Sequence, residues 1–381
     1  MNQGLTSFRA LAFFAIFLFH LGDPGASRFD VQGGYLGVEA FFVLSGFLLT
    51  PILVEMKSSL NKRDFFIHFY GRRALRIFPL YYAYLLIVAA ISFWLLSQPA
   101  YSGGNTRLAA DLNQFIKQLP WTVTYTYDFY HVSNYFRHSF LATHFWSLAV
   151  EEQFYLVWPL AIFFIPARHL KKFLLLVIVA GPLTRFLLAV AVDANMLPVL
   201  RQTDLVIYIL PFSHIDAFAI GGFFALYGKS RPGYLVWASL LLVLALGFVT
   251  SWLSAGQLHL GELGYGPFMK DSYKYVWGYS AVTLVLGYML VQIRNKTFMP
   301  ALFENPLLVY LGTISYGLYV FHYPVLWLVY STMHRSPEIV RASATLLITV
   351  IISMVSYELM EKRFINSKDK YFARTSAAKP H

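Results

Sequence analysis

The sequence predicts an all-α protein, a polytopic transmembrane helix bundle of about ten spans with one re-entrant or interfacial segment. Three observations predict it. Hydrophobic residues make up 57% of the 381, charged residues only 13%, and the mean hydropathy is +0.55, far from the balance of a water-soluble domain. Aromatic residues reach 18%, including 26 Tyr and 8 Trp, and such rings are favoured where hydrocarbon meets headgroups. Apolar runs also recur along the whole chain at lengths near the ~20 residues that cross a bilayer.

Ten runs meet that length, at residues 5–21, 34–54, 77–97, 145–165, 173–192, 205–227, 234–253, 275–293, 306–330 and 339–359. An eleventh, 120–132, is short and carries Asp128 and His131, so it reads as re-entrant or interfacial. The net charge of +11 tests this choice. With ten spans and a cytoplasmic N-terminus, 20 of the 30 Lys and Arg fall on inner segments and 8 on outer ones, with Arg185 and Arg341 inside spans. Counting 120–132 as a full crossing would carry Arg168, Lys171, Lys172 and every later inner loop outside. The charge therefore reads as a positive-inside bias in a protein whose partners include membrane lipids, with no nucleic acid and with both termini cytoplasmic. Residues 1–365 form one membrane domain and 366–381 a basic cytoplasmic tail. The first run has no basic residue before it and reads as a span, not a cleaved signal peptide. No attached soluble transferase module is expected.

The chain has no cysteine, which excludes disulfides, thiolate metal sites and acyl-cysteine intermediates. There is no metal-ligand spacing, Gly-rich phosphate loop or internal repeat, so no metal is expected. Functional information sits instead in ionisable residues within spans, which are rare and costly. Arg9 and His20 lie eleven residues apart, hence about 16 Å along one helix and within about 20° of one face. Glu39 in the second span and Glu151 and Glu152 in the fourth come to a depth similar to His20. A carboxylate beside imidazole supports a general base. Glu151 and Glu152 point about 100° apart, so one faces the site while the other pairs structurally, with Arg185 a candidate partner. His322, in the ninth span, reads as a helix-packing hydrogen bonder. Arg72, Arg73 and Arg76 precede the third span. Such a cluster serves as a topology signal or lipid contact, or as a bidentate phosphate binder. A basic mouth on one side and a His/Glu cluster further out outline a two-sided cavity.

Five blocks then resemble the acyltransferase-3 family of integral membrane acyltransferases, in order along the chain. Ser7-Phe-Arg-Ala-Leu-Ala12 through His20 is similar to its Arg-x10-His opening, and GYLGVEAFFVLSGFLL at 34–49 to its second-span signature. RRALRIFPLYY at 72–82, FWSLAVEEQFYLVWP at 145–159 and ISYGLYVFHYP at 314–324 resemble the basic loop and the fourth and ninth spans. The resemblance implies a ten-span bundle of the bacterial cytoplasmic (inner) membrane. Its reaction would move an acyl group, usually acetyl, from cytoplasmic acyl-CoA to a hydroxyl of a carbohydrate or glycolipid acceptor, often an extracytoplasmic glycan.

Carried over by position, His20 is the catalytic His, Arg9 its companion, Arg73 and Arg76 with Arg72 the donor-side cluster, and Glu151 the acidic residue of the fourth span. Glu39, Glu152, Ser315, His322 and Asp216 are supporting or substrate-facing. Three positions depart from the pattern: Thr6 replaces an Asp, Ser315-Tyr-Gly317 replaces Ser-x-Ser, and His214-Ile-Asp216 replaces Arg-x-Asp. The expected chemistry has His20 taking the acceptor proton, with Glu151 or Glu39 supporting the imidazolium. An acyl-His relay is an alternative. The rival from another class is a carrier or flippase for a lipid-linked sugar, for which an ionisable-lined bundle is equally natural.

Overall fold

The structure is a computed structural model that describes residues 2–23, 31–102, 106–256, 260–269 and 271–372. Arg28, Lys270, Arg374 and Lys379, counted above among the loop charges, lie outside the described residues, as does residue 373 onward of the basic tail. Helices dominate and no β-ladder forms among the described residues. In chain order the principal helices are α1 (Gln3–His20), α2 (Gly37–Ser59), α3 (Lys62–Ser97), α4 (Arg107–Val123) and α5 (Tyr127–His131). Then come α6 (Trp146–Phe164), α7 (Ala167–Asp193), α8 (Thr203–Ile209), α9 (Ile215–Tyr227) and α10 (Tyr234–Ala255). The last five are α11 (Lys274–Arg294), α12 (Pro306–Thr313), α13 (Ser315–Thr332), α14 (Glu338–Ser356) and α15 (Lys362–Tyr371).

Their starts follow from local chemistry. Asn2, Asn61, Thr106 and Asn305 each accept a backbone N–H in the first turn of the helix that follows, satisfying a donor with no intrahelical partner. Pro306 sits at the first position of α12, where its missing N–H costs nothing.

Seven helices among the described residues are long and apolar enough to cross a membrane, and each overlaps one of the predicted runs. An eighth is formed if α8 and α9 are taken together, bent by 67°. The bend falls where Pro211 opens a short 3-10 turn, because proline cannot continue the hydrogen-bond ladder of α8. The remaining two predicted runs, 145–165 and 306–330, fold as α6 and as the pair α12 and α13. They carry more polar character or are broken at Ile314, and they do not pass the same test. The 120–132 segment is the end of α4, a turn at 124–126 and α5. Leu86 on α3 and Leu242 and Leu253 on α10 are 71%, 72% and 77% exposed, which suits outward faces set against lipid.

The chain divides into two compact units, Met1–Val54 with Ile162–Ser315, and Glu55–Ala161 with Tyr316–His381. In the first, α1 packs most extensively on α12, and α9 lies against α7 and α11. Small residues make these approaches possible. A Cβ on Gly34 or Gly37 would strike the carbonyls of Ala15 and Ala12, and one on Gly312 the carbonyl of Thr6, so backbone meets α1 directly at both ends. In the second unit, α3 carries α4 on one side and α15 on the other, and a π-turn at Tyr357–Glu361 joins α14 to α15.

Candidate functional site

The sequence-predicted site residues fall into two sets, one in each unit. In the first unit, Arg9 and His20 lie on the one continuous helix α1, both half-buried. His20 is its last residue, at the negative end of the helix dipole. Thr6 donates its hydroxyl to the Asn2 carbonyl one turn back.

Glu39, fully buried on α2, does not stand free to serve His20. Its carboxylate lies 2.7 Å from Nδ1 of His214, itself fully buried. Nε2 of the same ring lies 2.8 Å from the Tyr208 carbonyl, which can only accept, so Nε2 carries a proton. Tyr208 in turn donates its hydroxyl to the Tyr35 carbonyl at 3.3 Å, and the Tyr35 ring packs 5.9 Å from Phe19, next to His20.

Asp216 is likewise spoken for. Arg185 meets it through two parallel bonds of 2.9 and 2.8 Å, and both side chains are at most 1% exposed. Ser280 and the carbonyls of Val276 and Ser213 complete the guanidinium's shell. This corrects the expectation that Arg185 partners a fourth-span glutamate. Gly181, one turn before Arg185, is the physical reason, because a side chain there would overlap the Asp216 carboxylate. Ser315 is buried at the start of α13. Gly317, where a second hydroxyl was expected, faces Ser353 so closely that a Cβ would sit 3.2 Å from it.

In the second unit the three arginines of α3 have different fates. Arg72 is 7% exposed, and its Nη1 is held 2.7 Å from Asp369 and 2.6 Å from the Phe372 carbonyl, at the C-terminal helix. Arg73 stands over the Tyr155 ring at 5.6 Å and feels the charge of Glu152 and Glu151, yet makes no hydrogen bond or ion pair with a described residue. Its buried Nε is left unmatched. Arg76 faces Glu361 of the π-turn through the field alone.

Glu151 and Glu152 also diverge. The Tyr155 hydroxyl donates to Glu151 one turn away, so Glu151, Tyr155 and Arg73 form a chain. Glu152 has no hydrogen bond or ion pair to a described residue and faces Arg73. His322 is fully buried and donates from Nδ1 to the Tyr319 carbonyl of its own helix at 2.7 Å. Among the described residues no group of three or more His, Asp or Glu could hold a metal ion.

Two participants went unread. His214 was noted only as a departure, and Tyr155 was not singled out, although its i+4 spacing from Glu151 marks it as a neighbour on the helix.

These features define a multi-pass helical membrane protein with ionisable groups buried inside each unit. The chain belongs to the acyltransferase-3 family: the family's acyltransferase-domain model matches residues 2–358. It is similar to the peptidoglycan O-acetyltransferase OatA of Listeria monocytogenes, 27% identical over 93% of this chain and 54% of the relative. It is similar to the O-acetyltransferase OatA of Staphylococcus aureus, 28% identical over 98% of this chain and 60% of the relative. A putative O-acetyltransferase of Staphylococcus aureus strain COL is 24% identical over 95% of this chain and 57% of its own length. The chain thus spans little more than half the length of these relatives. No solved structure matches.

Proposed function

We propose that the chain is a membrane O-acetyltransferase that moves an acetyl group from cytoplasmic acetyl-CoA to a hydroxyl of an extracytoplasmic glycan. Peptidoglycan, named for the Listeria relative, is the acceptor class we favour. The observation that carries this reading is the family match over residues 2–358, which includes the Arg9 to His20 helix and every candidate residue.

In this reading His20, as a neutral imidazole, accepts the proton of the acceptor hydroxyl. The freed oxygen attacks the thioester carbonyl carbon, the C–S bond breaks, and the departing CoA thiolate takes up the proton held on His20. Arg73, with its unmatched guanidinium, and Arg76 contact the phosphates of the donor. Glu151 acts through Tyr155, holding the ring against which Arg73 rests. Glu39 supports the fold through His214 and not the imidazolium of His20.

The test is to express wild type and His20→Ala in a host lacking the gene and to measure base-released acetate from isolated peptidoglycan. Acetate above the host background only with wild type is the expected result. Equal acetate from both would remove His20 from the reaction, and none from either would remove this acceptor.

A further inference from the structure

We propose that Tyr125 and Glu152 form a subsite that binds a hydroxyl of the acyl acceptor, a carbohydrate alcohol, within the second unit. The inference rests on the O-acyltransferase reading and names two contacts for its substrate.

Tyr125 sits in the turn between α4 and α5 with φ +53°, the left-handed region that a bulky residue rarely adopts. Its surroundings hold it there. Its carbonyl accepts from Gln153 of α6 at 2.9 Å, and its N–H donates to the Thr122 carbonyl at 3.1 Å. The hydroxyls of Tyr81 and Tyr82 on α3 clip the carbonyls of Thr122 and Val123 at 2.8 and 3.1 Å. The Tyr125 ring lies stacked on Tyr81 at 4.5 Å and beside Phe78 at 6.1 Å.

Each of these polar groups is matched except the Tyr125 hydroxyl, which is buried and makes no hydrogen bond to a described residue. That hydroxyl faces the field of Tyr316, Glu152, Tyr81 and Tyr82. A phenylalanine would stack as well without leaving a hydroxyl dry, and a strained backbone holding an unsatisfied donor is the mark of a ligand-facing position. Glu152 supplies the complement, a carboxylate with no hydrogen-bond partner among the described residues. An alcohol fits the two together: its O–H donates to Glu152 while its oxygen accepts from Tyr125.

The test uses the purified full chain in lipid nanodiscs, with Tyr125→Phe, Glu152→Gln and a soluble N-acetylglucosamine–N-acetylmuramic acid disaccharide as probe. Binding of the disaccharide is measured by calorimetry, binding of acetyl-CoA in parallel, and Tm for each variant. Tyr125→Phe is expected to weaken the disaccharide about tenfold, leave acetyl-CoA affinity unchanged and leave Tm the same or higher, because it removes an unsatisfied hydroxyl. Glu152→Gln is expected to weaken it at least as much. Unchanged disaccharide affinity in Tyr125→Phe, or no binding by wild type, overturns the subsite. Wild-type binding without acetyl transfer to the disaccharide leaves the subsite standing and overturns the enzymatic reading instead.

Discussion

The two units differ in the fate of their buried charged side chains. In the first, Arg185 and Asp216 close on each other bidentately with Ser280 beside them, and Glu39 closes on His214. In the second, Arg73, Glu152 and the Tyr125 hydroxyl lie among aromatic rings without hydrogen-bond partners among the described residues. Burying an unmatched polar group costs stability, so the unmatched Arg73 Nε and Tyr125 hydroxyl are positions where a ligand would offset that cost. Closed pairs belong to architecture and open groups to binding.

The largest effect should come from breaking a closed pair. Arg185→Met strands the Asp216 carboxylate and is expected to cost about 3–5 kcal/mol, read as a large drop in Tm, with recovery in Arg185→Met/Asp216→Leu. A small drop would mean that the first unit is not built on its ion pairs.

Next comes a pH effect at the edge of the second unit. Burial pushes the carboxyl of Asp128, in α5 outside the spanning helices, up to about 7 from 3.8, partly offset by the Gln153 hydrogen bond. A folded-state value raised in this way favours the protonated acid. The stabilisation is complete below pH ~4 and lost as pH rises through about 7, on the order of 4 kcal/mol. Thermal unfolding of wild type should weaken across that window, while Asp128→Asn shows no such slope; parallel curves would contradict it.

Opening an open group should cost function without stability. Arg73→Gln is expected to raise the KM for acetyl-CoA more than tenfold, about 1.5–3 kcal/mol for a charge-assisted bond, at constant Tm. A lower Tm with unchanged KM would move Arg73 to the architectural side. The smallest effect belongs to Arg72→Ala. Its partner Asp369 is 73% exposed, so the loss should be about 1 kcal/mol or less, read as a small drop in Tm, with little change in donor KM.

Much of this division could not be read from the chain before folding. Helix existence and the arginine-to-histidine spacing of α1 followed from local pattern, since both depend only on runs and on 3.6 residues per turn. Partnerships between distant helices did not, because Glu39 and His214 lie far apart in sequence and meet only when α2 and α9 take a particular rotation. The neighbours Arg72 and Arg73 show the same limit. Adjacent helical positions point about 100° apart, so one is drawn to the C-terminal helix and the other to Tyr155, and composition does not say which. Tyr125 was hidden for a different reason: its role depends on a left-handed turn that tyrosine does not announce. The expected pairing of Arg185 failed through Gly181, whose missing side chain lets Asp216 in.

The central claim is acyl transfer through His20. It is tested most directly by incubating the purified chain in nanodiscs with acetyl-CoA labelled in the acetyl group and the soluble glycan disaccharide. Base-labile label on the glycan from wild type, reduced roughly 10²–10⁴-fold in His20→Ala at matching Tm, is the predicted result. Equal labelling by wild type and His20→Ala, or no labelling by wild type, would contradict it.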